Sequence, residues 1–180
     1  MNGILVVCTG NVCRSPMAEG FLRAALAERL GDEAPVVTSA GTAGWEGSAP
    51  MEESVQSARE WGTDIRAHVG RRIQTRMIEE ADLILCMAAD HRTSILRVRP
   101  DVRDKTFTLK ELVRLLEVAH AGGPIEDRIA VAAAARNGSH GQGEDVRDPL
   151  GDPIDGYRQV AEELHNLSGR LAAALIDEPA

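Results

Sequence analysis

Positive charge is in short supply in this chain. Lysine and arginine total 20 against 28 aspartates and glutamates, a formal net charge of −8 over 180 residues. That balance disfavours a surface built to grip nucleic acid or anionic lipid, because both would meet overall repulsion. Neither a nucleic acid nor a membrane is therefore expected as a partner. Arg66, Arg71, Arg72 and Arg76 form a local basic cluster, and a run of that kind reads as a solvated face. Cysteine is equally sparse: Cys8, Cys13 and Cys86. An odd set in a chain of this size argues against an extracellular disulfide scaffold and for reduced thiols, which makes the cytoplasm the expected compartment. The cysteines and histidines show no metal-ligand spacing such as Cys-x-x-Cys, so no metal and no cofactor is expected. Nowhere do about 18 apolar residues follow one another, the length a membrane helix needs. The opening MNGILVVC carries no basic leader and no small-residue cleavage site, so no signal peptide is expected.

What remains is an ordinary folded chain, 43% hydrophobic and 27% charged, close to soluble averages. Its length suits one domain, residues 1–180. Strand and helix signals alternate. ILVVC (4–8) is a continuously apolar, partly β-branched run ended by Thr-Gly-Asn, and reads as a buried strand. Ser15 then reads as a helix N-cap with Pro16 at the first helical position, followed by Leu22, Leu26 and Leu30 at four-residue spacing. PVVTSAG and ADLILCM read as further strands, and MEESVQSAREWG as a helix stopped by Gly62. DHRTSILRV reads as helical, DKTFTLKE as a short strand entering the helix LKELVRLLEVAH, and DGYRQVAEELHNLSGRLAAALI as a long amphipathic helix. About four strands and five helices result, and their alternation implies an α/β fold with a parallel sheet. Residues 121–143 are the least readable and are expected to be an insertion or a mobile loop. Within them IEDRIAVAAAAR can form a helix, whereas NGSHGQGED has loop composition.

The chemistry concentrates between the first strand and the first helix, in VVCTGNVCRSP (6–16). In open parallel sheets ligands bind beyond the carboxyl ends of strands, where a loop feeding a helix aims backbone N–H groups at an anion. The segment lacks the Gly-Lys-Ser/Thr ending of a nucleotide-binding loop and has Arg14-Ser15-Pro16 instead. Cys8 at the base of such a loop faces N–H groups, a helix amino terminus and the Arg14 guanidinium, all of which favour thiolate over thiol. The guanidinium offers two parallel donors that match phosphate oxygens. A phosphate monoester, or an arsenic oxyanion of similar shape, is the matching electrophile. Its leaving group needs a proton and the attacking water then needs a base, so one carboxylic acid serving both steps is required. Composition alone does not choose it among 28 acidic residues. Cys13 lies in the same loop, close enough in sequence for a reversible disulfide with Cys8, or it is a small packing residue. Cys86 reads as inert core.

VCTGNVCRSPMAE resembles the signature of the low-molecular-weight protein tyrosine phosphatase family. TSAGT (38–42), GTDIRAH (62–68), DLILCM (82–87) and RDPLGDPIDGY (147–157) follow in the family's order, so the resemblance covers nearly the whole chain apart from residues 121–143. It implies a four-stranded parallel sheet flanked by helices on both faces, with the phosphate-binding loop after the first strand. It implies that Cys8 attacks phosphorus to form a cysteinyl-phosphate intermediate. Arg14 and the loop of Thr9, Gly10, Asn11, Val12 and Cys13 would hold the oxygens, and Ser15 would hydrogen-bond the sulfur. It further implies that Asn11, Ser39 and His68 form a network supporting the loop, and that Asp148, before Pro149, is the general acid. The neighbouring Asp145, Asp152 and Asp155, with Asp127, read as solvated loop charges or turn formers. The family resemblance also supports the Cys8–Cys13 redox switch.

For the substrate, the resemblance implies a phosphorylated protein, with inorganic phosphate or other oxyanions held at the same site. Val12 is the branched aliphatic residue usual in members that prefer phosphotyrosine, where a related arginine-phosphatase branch has threonine, nearly isosteric but with a hydroxyl. Trp45 would supply a pocket wall, or else pack as a partly buried side chain. Leu150 and Gly151 stand where many phosphotyrosine enzymes have two tyrosines, and KTFTLKE and DPLGDPIDGY look closer to the arginine-phosphatase branch. Ala88 replaces an aspartate often found after Met87, which removes any contact from that position. The expectation is a phosphotyrosine phosphatase, with an arginine phosphatase as the alternative. Arsenate reductases of this fold use two further cysteines, and only Cys86 is present beyond the loop. An oxyanion-binding module without catalysis would need neither Asp148 nor a thiol.

Overall fold

A computed structural model of the chain describes residues 1–119, 122–136 and 143–176. Four strands, β1 (Gly3–Cys8), β2 (Val36–Gly41), β3 (Leu83–Cys86) and β4 (Thr106–Thr108), form one parallel sheet in the order β2-β1-β3-β4. Helices α1 (Arg14–Leu30), α2 (Glu52–Glu60), α3 (Thr75–Glu80), α4 (Ala89–Val98), α5 (Leu109–Ala119), α6 (Ile125–Ala134) and α7 (Ile154–Ile176) connect and cover it.

Period-two alternation along the strands divides the core. Ile4, Val6 and Cys8 of β1, with Leu83, Leu85 and Phe107, pack against Met17, Phe21 and Leu26 of α1, Leu112 of α5 and Leu164 and Leu171 of α7. The intervening Leu5 and Val7, with Ala40, Ile84 and Cys86, pack on the other face against Ile78 of α3, Ile95 of α4 and Val102. Both faces are covered, which is why these strands read as continuous apolar runs. Cys86 is fully buried, and desolvation drives its thiol far above the ordinary range, as expected of core. From the carboxyl end of β1 the chain departs toward β2, and from the adjacent β3 it departs the opposite way, toward β4. The Cys8 loop opens at that switch point.

Two features differ from the sequence expectation. Helix α1 begins at Arg14, with Cys13 in the cap position and no side-chain cap, so Ser15 is inside the first turn. The Ser15 hydroxyl engages the Cys8 sulfur and the Asn11 amide instead. The first turn is therefore left without a side-chain acceptor for its N–H groups. Helix α3 has no counterpart in the sequence reading, since TRMIEE is too short for a visible apolar period; only Ile78 is buried. Within 121–143, Ile125–Ala134 forms α6, anchored by Ile129 and Ala132 in the core and by Arg128, whose guanidinium donates to Gly123 and Ala174 carbonyls. Residue 121 and most of the loop expected over NGSHGQGED, 137–142, lie outside the described residues.

A buried charge cluster ties this region to the sheet. Glu111 accepts from Arg92 at 3.3 Å and from Arg136 at 3.0 Å, and the Arg136 guanidinium lies 4.1 Å over the Phe107 ring. Glu111 also accepts from the Thr108 N–H, while its own N–H donates to the Thr108 hydroxyl, a reciprocal cap at the start of α5. Removing the shared carboxylate takes the Glu111 counter-charge away from two buried guanidinium groups. Glu111→Ala should therefore cost about 3–5 kcal/mol in urea unfolding; a loss under about 1 kcal/mol would show that the cluster does not bind the layers together.

Candidate active site

The loop between β1 and α1 turns back on the sulfur of Cys8, which is 2% exposed. The Asn11 N–H donates to Cys8 Sγ at 3.2 Å, and the Ser15 hydroxyl lies 2.9 Å from it. Asn11 has φ 59, the left-handed region that few residues other than glycine, asparagine and aspartate enter readily. Gly41, where β2 ends, allows the loop to approach: a Cβ there would sit 2.3 Å from the Thr9 carbonyl oxygen and 2.7 Å from Gly44 Cα.

The fully buried Asn11 side chain sets the direction of the hydrogen bonds around it. Its Oδ1 accepts from the Arg71 backbone N–H at 2.9 Å, which leaves Nδ2 to donate to Ser15 Oγ at 2.9 Å and Ser39 Oγ at 2.8 Å. Ser39 passes its own hydrogen to Glu19 at 2.6 Å. Ser15, already accepting from Asn11, has its hydrogen left for the Cys8 sulfur. His68 Nε2 donates to the Asn11 carbonyl at 3.0 Å, and its Nδ1 lies 3.7 Å from Glu19. Burial lowers the His68 pKa below its ordinary value, against the opposing pull of Glu19. Asn11, Ser15, Ser39 and His68, all expected at the site, thus meet in one network.

Arg14, only 5% exposed, closes the other side. Its Nη1 donates to the Val146 carbonyl at 3.2 Å, its Nη2 to Thr9 Oγ1 at 3.4 Å, and Nη2 also pairs with Asp148. Its Nε is buried with no hydrogen-bond partner. Asp148 is brought in by a loop stitched to the end of β3. Val146 N–H donates to Met87 O at 2.7 Å, and Asp145 Oδ1 accepts from Ala89 N–H at 2.8 Å. Asp145 therefore supplies α4 with the acceptor that Ala88 has no side chain to give, and is more than a solvated charge. Asp152 pairs with Arg147, and Asp155 with Arg158, both on the surface.

Cys8, Thr9, Gly10, Cys13, Arg14 and Asp148 line a pocket of about 70 Å³ together with the apolar side chains of Val12, Trp45 and Leu150. A bulk water occupies about 30 Å³, so the space suits a single small oxyanion. Trp45 is a wall, 46% exposed, held by its backbone N–H on the Gly10 carbonyl at 2.9 Å. Cys13 is a free thiol packed with Val12 and Tyr157, and burial pushes its pKa up to about 11. Among the described residues no group of three or more His, Cys, Asp or Glu is placed to hold a metal ion, and no helix is long and apolar enough to cross a membrane.

The sequence model of the family described as low molecular weight phosphotyrosine protein phosphatase matches residues 3–127. The chain belongs to this family. It is 35% identical over 175 residues to the protein-arginine-phosphatase of Geobacillus stearothermophilus, covering 97% of each chain. It is 31% identical over 178 residues to the low molecular weight protein-tyrosine-phosphatase of Streptomyces coelicolor, covering 97% of this chain and 94% of the relative. A solved structure of a YwlE arginine phosphatase mutant with a phosphorylated active site serine superposes with a TM-score of 0.73 at 35% identity, over 94% of this chain and 93% of that one. The protein is thus a cysteine-based phosphatase of the low-molecular-weight class, with that class's four-stranded parallel sheet.

Four contributors to the site of this phosphatase are given no role by the sequence reading, although Glu19 and Tyr157 end two of its motifs. Glu19 looks like one surface acid of an amphipathic helix, yet it terminates the Ser39 relay. Arg71 reads with its neighbours as a solvated face. Arg66 and Arg76 do pair with surface acids, Asp64 and Glu80, but Arg71 turns inward, donating from Nε to the Ser39 carbonyl at 2.7 Å. Tyr157, 1% exposed, backs Cys13. His91 of α4 bonds Thr9 at 2.9 Å, and no motif marks it.

Replacing Asn11 by Ala removes three hydrogen bonds and leaves a non-glycine residue at positive φ without its side-chain anchors. Phosphatase activity should fall at least about a hundredfold while Ser39→Ala, which cuts one branch, loses about tenfold; equal effects in steady-state assays would deny Asn11 its central place. Burial and the nearby Arg14 cation hold His91 down at about 4, against the partial support of Asp148, Asp145 and Asp90. Its unfolded form takes a proton near pH 6.5, so this contribution is complete above that pH and is lost as pH falls toward 4. Comparing urea stability of wild type and His91→Leu across that window, the wild type should show the steeper loss, by up to about one proton; parallel slopes would mean that His91 titrates normally.

Proposed function

We propose that this phosphatase hydrolyses phosphotyrosine in proteins, with Cys8 as nucleophile, Arg14 as oxyanion clamp and Asp148 as general acid and base. The observation that carries this reading is the buried Arg14 Nε with no partner, beside a sulfur that already receives N–H and O–H donors. A buried guanidinium donor left unsatisfied is costly, and a phosphate oxygen over Cys8 satisfies it. Before substrate arrives, Asp148 occupies Nη2 of the same guanidinium. A phosphoryl group with two oxygens on Arg14 competes for that position, and releases Asp148 toward the leaving oxygen.

In the first step Cys8 Sγ attacks phosphorus in line, the P–O bond to the phenol breaks, and Asp148 delivers its proton to the departing oxygen. The N–H groups from Gly10 to Ser15 and the Arg14 fork stabilise the charge on the three equatorial oxygens. In the second step Asp148 takes a proton from water, which attacks the cysteinyl phosphate. The S–P bond breaks, inorganic phosphate leaves, and the Ser15 hydroxyl stabilises the returning thiolate. Trp45, Val12 and Leu150 offer the apolar contacts a phenyl ring would use. The three free thiols suit a reducing compartment, and we place the enzyme in the cytoplasm.

A second reading, phosphoarginine in proteins, is favoured by one observation: a relative named protein-arginine-phosphatase matches over 97% of both chains. Against it, Val12 lacks a hydroxyl with which to steer attack at a phosphorus–nitrogen bond. Phosphate release from matched phosphotyrosine and phosphoarginine peptides, under reducing conditions with Cys8→Ser as blank, separates the two. The phosphotyrosine peptide should be turned over faster, the signal should vanish in the blank, and Asp148→Asn should lower kcat by about 10²–10⁴. A strong preference for phosphoarginine would transfer the enzyme to the second reading.

A further inference from the structure

We propose that His91 is a positioning residue for the Arg14 guanidinium, acting through the hydroxyl of Thr9. The inference deepens the oxyanion reading of the loop and rests on it. Thr9 is the first residue beyond the nucleophile, and its residue surface is exposed, so packing alone does not choose among its staggered rotamers. The choice is made by a hydrogen bond of 2.9 Å between Thr9 Oγ1 and His91 Nε2. In that rotamer the hydroxyl oxygen also faces Arg14 Nη2 at 3.4 Å, and as the guanidinium only donates, the oxygen is the acceptor.

His91 is itself held firmly. It is 5% exposed in the first turn of α4, whose amino end is tied by Asp145 to the loop that carries Val146 and Asp148. That loop provides the other two Arg14 partners, the Val146 carbonyl and the Asp148 carboxylate. Three elements thus converge on one guanidinium, and His91 is the link between α4 and the first residue of the phosphate loop. Its second nitrogen, Nδ1, is buried without a partner. In the neutral imidazole Nε2 is then free to accept from the Thr9 hydroxyl, whereas a charged ring would set a second cation beside Arg14. The side chain is suited to hold the guanidinium without competing with it for the anion.

Loss of His91 frees Thr9 to rotate and removes one of the acceptors that orient Nη2, while the thiol, the loop amides and Asp148 all remain. The readout is the alkylation rate of Cys8 by iodoacetate, an anion, relative to iodoacetamide, its neutral analogue, with Cys8→Ser as the blank. A correctly aimed guanidinium favours the anion. In His91→Leu the preference for iodoacetate should fall severalfold and kcat on a phosphopeptide should fall about tenfold with a smaller change in KM. His91→Gln, which keeps an acceptor, should recover most of both. Thr9→Val, a near-isosteric change at an exposed position, should show the same loss, and the Thr9→Val, His91→Leu double variant should lose no more than either alone. This second variant keeps the test decisive if His91→Leu folds poorly. An unchanged iodoacetate preference, or losses that multiply in the double variant, overturns the proposal. A wild type that shows the anion preference yet cleaves no phosphopeptide overturns the substrate reading; the alkylation ratios then still decide the role of His91.

Discussion

The side-chain amide of Asn11 is the constraint on which the site depends. A chain that must turn several N–H groups toward one sulfur enters the left-handed region at Asn11, with φ 59, and that conformation needs external support. The support comes from Arg71, Ser39, Ser15 and His68, each through one hydrogen bond of 2.8–3.0 Å to Asn11. The same bonds decide which way the hydroxyl hydrogens point. With Oδ1 occupied by a backbone donor, Nδ2 must donate to both serines, and only then is the Ser15 hydrogen free for the Cys8 sulfur. Backbone strain and nucleophile stabilisation are two results of one amide orientation.

Around this centre the fold supplies pieces from distant parts of the chain. The order β2-β1-β3-β4 sets the loop after β1 between the ends of β2 and β3. From β2 come Ser39 and the glycine, Gly41, that lets the loop approach; from the end of β3 come Met87 and α4, which hold the loop bearing Val146 and Asp148. The apolar contribution is modest by comparison. Trp45, Val12 and Leu150 line the pocket beside its polar groups, and in a chain of net charge −8 the site holds one buried arginine, paired with Asp148. A low-dielectric setting makes that single charge count for more than a surface cluster would.

Much of this architecture is legible in the order of residues along the chain. The alternating apolar runs imply the parallel sheet because strands buried on both faces have no polar register to show. The close spacing of Cys8, Arg14 and Ser15 implies an anion loop because all three lie within one strand-to-helix turn. Reading Ser15 as a cap fails for an instructive reason: the residue has a cap's chemistry, but its hydroxyl is used by the sulfur. The roles of Arg71 and Glu19 stay hidden because a charged residue looks the same in sequence whether its side chain turns outward or inward. His91 and Tyr157 stay hidden because a single polar or aromatic residue on a helix carries no period.

The amino-acid sequence by itself determined the fold class and the anion loop that joins Cys8, Arg14 and Ser15, since these depend on patterning and local spacing, while Asp148 stood out only through the family resemblance. Only the tertiary structure decided that Arg71 and Glu19 join Asn11, Ser39 and His68 in holding the loop, that Arg14 keeps one buried donor unpaired while Asp148 occupies another, and that α4 reaches the site through His91. Arg71, Asp148 and His91 lie 60, 134 and 82 positions from their partners in the loop and the first turn of α1. Their hydrogen-bond directions follow from how every neighbouring donor is already used, which no short stretch of chain can encode.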